Sequence, residues 1–177
     1  MSAPTTKNPD LGFPISCQCG YISLVTPPRS LLGGMAHCHC TSCRKQSASA
    51  FGTSIYFPTS SVFPLDPELE SRLSLYEHAQ TESGNTMRCY FCPRCGVRVL
   101  HAAVKPDGEM REMVSFKAGL VDGDEKEGLD WKGMKAKHIF TGSAVIKLEE
   151  GWECYDKYPP PPQASAENVK QVGGDDE

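Results

Sequence analysis

No run of apolar residues in this chain is long enough to cross a bilayer. The opening residues, Met1 to Asp10, carry no apolar core of the kind a secretory signal needs. The expectation is a soluble, cytoplasmic protein with no membrane partner. An excess of positive charge is also missing: 18 Lys and Arg stand against 22 Asp and Glu, a net charge of −4. A duplex-binding surface ordinarily makes a domain basic, so nucleic acid is not an expected partner. No internal repeat is present beyond the recurrence of close cysteine pairs.

What the chain does have is cysteine, nine in 177 residues. In a reducing compartment that count argues for metal ligands over disulfides, and its odd value leaves at least one thiol outside any paired scheme. The length suits one domain with its own core. A hydrophobic fraction of 39% with 14 Pro and 16 Gly reads as globular, rich in turns and mainly β. The organisation that follows is a loose lead-in over 1–14, a zinc-binding domain over 15–157 and a disordered Pro-rich, acidic tail over 158–177.

Seven of the cysteines form two groups. The central stretch is His37-Cys38-His39-Cys40-Thr41-Ser42-Cys43-Arg44-Lys45, with three cysteines at C-x-C-x-x-C spacing. One short turn can aim those three sulfurs at one point. Three thiolates bind zinc and leave its fourth tetrahedral position open for a ligand. Further out lie two pairs, Cys17/Cys19 and Cys92/Cys95, each followed by glycine at Gly20 or Gly96. Two pairs from two separate turns make a closed four-sulfur zinc site, which holds a fold and leaves no room for substrate. The expected content is two zinc ions per chain. A different partition is also open, in which Cys38, Cys40 and Cys43 share an ion with one outer pair. The central site is equally open to closure by a fourth residue, with Cys89, His37, His39 and His101 as candidates. His39, lying between two ligands on an extended segment, should point away from the ion that Cys38 and Cys40 face. Cys154 has no close partner and reads as a spectator thiol.

The alternation of residues predicts a strand from Ile15 to Val25, buried on both faces, and further strands in 48–57, 72–78, 87–91, 97–101, 112–118, 136–140 and 144–148. The segment from Glu68 to His78 fits either a helix begun at Asp66-Pro67 or a strand. Thr41 and Ser42 are candidate caps of a short helix through Gln46. Arg44 and Lys45 would stabilise thiolates and attract an anionic ligand.

Taken together, Ser16-Cys17-Gln18-Cys19-Gly20, the His37–Lys45 stretch and Phe91-Cys92-Pro93-Arg94-Cys95-Gly96 resemble the glutathione-dependent formaldehyde-activating enzyme family. Weaker matches are Lys117-Ala118-Gly119-Leu120-Val121-Asp122 and His138-Ile139-Phe140. The resemblance implies a β-tent-like fold of several coiled antiparallel sheets with few short helices. It implies a structural zinc on Cys17, Cys19, Cys92 and Cys95, and a catalytic zinc on Cys38, Cys40 and Cys43. It also implies a carbon–sulfur lyase that adds glutathione to formaldehyde reversibly, giving S-(hydroxymethyl)glutathione. Arg44, Lys45 and His138 are the candidates for holding the tripeptide's carboxylates. After Phe140 the chain reads Thr141-Gly142-Ser143-Ala144-Val145-Ile146-Lys147, without the Pro-Trp that the family often carries there. That departure leaves room for an enzyme repurposed for a larger metabolite; a separate alternative is a non-catalytic zinc module that binds another macromolecule.

Overall fold

The computed structural model describes residues 11–123 and 128–159. Most of the expected lead-in, part of the charged loop after Asp122 and the tail from residue 160 lie outside the described residues. Among the described residues the protein is mainly β, with two short α-helices. A small sheet pairs β1 (Pro14–Ser16) with β2 (Ser23–Val25). The large sheet has eight strands: β3 (Met35–Cys38), β4 (Gly52–Pro58), β5 (Ser74–His78), β6 (Thr86–Phe91), β7 (Arg98–Val104), β8 (Met113–Lys117), β9 (Lys137–Ile139) and β10 (Cys154–Tyr155). Their spatial order is β10-β9-β3-β4-β8-β7-β6-β5. All pairs are antiparallel except β3 with β9 and β9 with β10.

The two helices start where local chemistry dictates. The α2 helix (Pro67–Arg72) is capped by Asp66, whose carboxylate accepts from the amides of Glu68 and Leu69 at 3.0 Å, and has proline in its first turn. The segment from Glu68 to His78 is therefore both things its sequence allows, a helix and then the β5 strand. The α1 helix (Thr41–Ser47) is capped by Cys40, one residue before the expected hydroxyls; its sulfur accepts from the Cys43 amide at 3.3 Å.

The expected single strand over 15–25 is instead a hairpin. Ile15 pairs with Leu24, and the Cys17 amide donates to the Ile22 carbonyl at 2.9 Å. Gly20 takes φ of +73° between them, which a side chain resists and glycine does not. Its burial is one-sided too, with Ile15 and Ile22 buried and Val25 64% exposed. The expected strand at 144–148 is absent: Ala144 follows a single turn of 3-10 helix, and Val145 lies on the surface.

Cross-strand pairing sorts the large sheet into two faces. On one face Met35, Ile55, Phe116, Leu100 and Tyr90 form a row and pack, with Ile15 and Ile22 of the small sheet, into the main apolar core. The opposite face is polar. Its residues are Cys38 and Ala36 on β3, Ser54 and Tyr56 on β4, Ser115 and Lys117 on β8, His101 on β7 and Cys89 on β6. Ser54, Ser115 and His101 are nevertheless buried. The sheet hides them by curling. The segment after β5 reaches α1, where Ser42 Oγ and His78 Nε2 are 2.9 Å apart and the Thr41 amide donates to Glu82 at 2.8 Å. Glu82 also accepts from Ser143 at 2.9 Å, beyond β9. No helix is long and apolar enough to cross a membrane among the described residues.

Candidate metal centres

The first centre is built from two matching turns. Between β1 and β2, the Gly20 amide donates to the Cys17 carbonyl at 2.9 Å; between β6 and β7, the Gly96 amide donates to the Cys92 carbonyl at 2.9 Å. Gly96, like Gly20, has φ of +73°. Each turn folds back on itself, with the Cys92 amide donating to Val97 as Cys17 does to Ile22. The result brings the sulfurs of Cys17, Cys19, Cys92 and Cys95 within 4.8 Å of one another. Cys17 and Cys19 sulfurs are 3.6 Å apart, and Cys19 and Cys92 sulfurs 3.8 Å. Four thiolates about 2.3 Å from a tetrahedral zinc lie about 3.8 Å from each other, so the donor set and spacing fit that ion. Backbone amides already face the sulfurs: Ile22 donates to Cys17 at 3.2 Å, and the Val97 amide holds the Cys95 thiol down to about 6. Arg94 of the second turn stacks 3.5 Å above the Tyr21 ring of the first. This centre sits at the edge of the main core, with Cys92 fully buried.

The second centre joins Cys38, at the end of β3, to Cys40 and Cys43 of the α1 turn, again within 4.8 Å. The two groups are separate, so the partition that mixes them does not occur. Among the described residues no fourth His, Cys, Asp or Glu atom joins the three sulfurs. Cys89 lies on the same face but on β6, four strands away, and donates to the Met87 carbonyl at 3.7 Å. The Cys38 and Cys40 thiols hold Cys43 down to about 3, and Gln46 adds a hydrogen bond to it at 3.2 Å.

Glycine makes this second centre possible. Cys38 pairs with Gly52 on β4, and a Cβ at Gly52 would lie 3.3 Å from Cys43 Cβ and 3.5 Å from its carbonyl oxygen. The bare backbone lets α1 lie against the sheet. Gly52→Ala is expected to leave the melting temperature nearly unchanged, because roughly 1 kcal/mol of overpacking opposes about 0.4–1 kcal/mol from restricting the unfolded chain. The same methyl displaces Cys43, so metal affinity of the second centre should fall while the first is unaffected. Competition for zinc against a chromophoric chelator measures both.

The remaining predicted residues fall elsewhere. His37, His39 and His138 lie on the other side of β3 and β9 from Cys38, with His37 paired to His138 and Cys38 to Ile139. His39 Nε2 and His138 Nδ1 are 3.0 Å apart, and His138 stacks on Trp152 at 4.3 Å. Burial and the neighbouring His37 and His39 push His138 down to about 4, so it is a neutral packing residue and is not brought to the sulfurs. His39 points away from the three sulfurs, as expected. His101 is buried among the polar residues of the sheet, held well below its ordinary pKa by burial and then by Lys117 and Arg98. Arg44 and Lys45 line a groove of about 550 Å³ with Thr41, Ala48, Val145 and Ile146. At 3.6 residues per turn, that set occupies the side of α1 opposite Cys43. Cys154 is buried on β10 and belongs to neither centre.

Two residues on the face of the second centre carry no motif of their own in the sequence. Tyr56 is half-buried against the cluster that holds Cys38, and desolvation, followed by the Cys38 and Cys43 sulfurs, raises its hydroxyl pKa well above the usual range. Lys117 lies on the same face, with Nζ 3.4 Å from Ser54 Oγ. The available signal was the alternation in Ser54-Ile55-Tyr56-Phe57 and Ser115-Phe116-Lys117, which reads as an ordinary solvent face unless the sheet is known to curl.

A search of curated proteins finds no match to this chain. The family model described as glutathione-dependent formaldehyde-activating enzyme matches residues 13–143, taking in all seven clustered cysteines. With more than half of its length matched and both sulfur clusters assembled within that span, the chain belongs to the glutathione-dependent formaldehyde-activating enzyme family.

Proposed function

We propose that this protein is a cytoplasmic carbon–sulfur lyase that joins glutathione, or a closely related thiol, to formaldehyde. Zinc on Cys17, Cys19, Cys92 and Cys95 would hold the scaffold, and zinc on Cys38, Cys40 and Cys43 would serve the reaction. The observation that carries this reading is the second cluster: three converging sulfurs with no fourth protein ligand among the described residues. When bound there, zinc supplies Lewis acidity and a position that suits a thiolate sulfur.

The chain's own residues shape the rest. In the addition, the sulfur–carbon bond forms as the carbonyl π pair moves to oxygen, and the thiol proton ends on that oxygen. Tyr56, protonated and beside the sulfurs, is placed to donate a hydrogen bond to a developing oxyanion. The curled sheet buries Ser54, Ser115 and His101 on this face. Arg44 and Lys45 lie across α1 from the sulfurs, so their role is to attract the tripeptide's carboxylates into the groove. Val145 and Ile146 on the groove's rim, 60% and 36% exposed, favour a second reading, a larger metabolite with an apolar portion.

Exchange spectroscopy by NMR tests the reading. The zinc-loaded protein should accelerate exchange between glutathione and S-(hydroxymethyl)glutathione in the presence of formaldehyde. No acceleration above the spontaneous rate would sink it. The Arg44→Ala/Lys45→Ala variant should raise the KM for glutathione roughly three- to tenfold at low salt, with the difference shrinking at high salt. An unchanged KM would remove both residues from substrate attraction.

A further inference from the structure

We propose that Lys117 is the fixed countercharge of the second centre, a positioning residue that lets an anionic thiol occupy its open position. This rests on the reading above and deepens it by assigning the residue that selects the ligand's charge. Lys117 is the last residue of β8 and pairs with Ser54, which in turn pairs with Ala36 on β3, two residues before Cys38. Its side chain therefore stands on the polar, enclosed face of the curled sheet, tethered to Ser54 Oγ at 3.4 Å.

Lys117 is half-buried, and an ammonium drawn partly out of water is costly unless something pairs with it. Among the described residues no carboxylate lies within salt-bridge distance of Lys117. Burial pulls its pKa below the ordinary lysine range, and the groups acting the other way are all sulfurs: Cys43, Cys38, Cys89 and Cys40. Its natural partner is thus a charge that exists once the cysteines are thiolates. The other cation on this face, Arg98, lies over the rings of Tyr76 and Phe91 at 5.2 and 5.3 Å, towards the β5 edge. His101 is neutral. Lys117 is instead tied to Ser54 on β4, the strand next to β3.

The charge count shows what this does. Three thiolates around a divalent ion carry a net −1, and a fourth thiolate makes −2. In a partly buried site each added negative charge is strongly opposed. Lys117 returns the complex to −1 and so favours a thiolate over a neutral ligand. A neutral ligand adds no charge and gains little from the lysine.

Cobalt(II) in place of zinc gives a readout independent of turnover, because each sulfur ligand adds a sulfur-to-metal absorption band. The full chain, loaded with two cobalt ions, is titrated with glutathione and, separately, with imidazole. Lys117→Met should bind glutathione about tenfold or more weakly than the unmodified protein, the size expected for removing one charge contact in a partly buried site. Its imidazole affinity should be unchanged, and Lys117→Arg should restore glutathione binding. Equal glutathione affinity in Lys117→Met, or equal weakening for both ligands, would overturn the inference. If Lys117→Met fails to retain two cobalt ions, Lys117→Gln takes its place against Lys117→Arg, with the same outcomes required. An unmodified protein that takes imidazole but shows no glutathione band would overturn the thiol reading itself, and this inference with it.

Discussion

Cys92→Ser is expected to cost the protein its fold. The Cys92 sulfur is fully buried and belongs both to the first centre and to the apolar core. Through it the β1–β2 hairpin is fastened to the β6–β7 hairpin, a closure of over seventy residues of chain. Structural zinc contributes about 10–16 kcal/mol in zinc-finger peptides, against a net stability of about 5–15 kcal/mol for a whole domain. Losing one of four ligands therefore removes as much free energy as the fold has in reserve. The small sheet is only three residues per strand and cannot stand without this tie. A melt followed by circular dichroism should show no cooperative transition, or one lowered by well over 10 °C, since a domain of this size shifts roughly 2–4 °C per kcal/mol. Metal content should fall with it. A transition within a few degrees of the unmodified protein would show that the first centre is not what holds the hairpins together.

Both centres were legible in the sequence because metal ligation leaves a local signature. Cysteine at short spacing beside glycine means a turn that aims sulfur, whatever surrounds it. Where several local solutions existed, tertiary structure chose. Ile15 to Val25 alternates well enough for one strand, but the ligand turn at Cys17–Gly20 bends it into a hairpin. Glu68 to His78 fits helix and strand, and Asp66 captures only its first half. The parallel strands β9 and β10 are three and two residues long, and their pairing depends on partners about a hundred residues away for β3 with β9. Lys117 and His138 show the deeper limit. A lysine alternating with Phe116 reads as solvent-facing, and a histidine beside a lysine reads as available. The curl of the sheet half-encloses the first on the face it shares with Cys38, and the parallel register puts the second on the other face.

Cys40→Ser should have the opposite profile to Cys92→Ser: an intact fold and a lost function. Cys40 is only half-buried, and its structural duty is to cap α1 by accepting from the Cys43 amide at 3.3 Å. Serine is among the best residues for that duty, so its hydroxyl should take over the cap. What serine does not replace is a soft thiolate ligand. Two remaining sulfurs, with no other protein ligand close by among the described residues, hold a zinc ion weakly. Metal analysis should therefore fall from two zinc ions per chain to one, with a melting transition within a few degrees of the unmodified protein. Thiol exchange should drop by more than the roughly 100-fold typical of losing an outer-shell partner, because a direct ligand is gone. Two ions retained, or a collapsed melt, would mean that the second centre serves the scaffold, and the catalytic reading of Cys38, Cys40 and Cys43 would give way to that of a binding module.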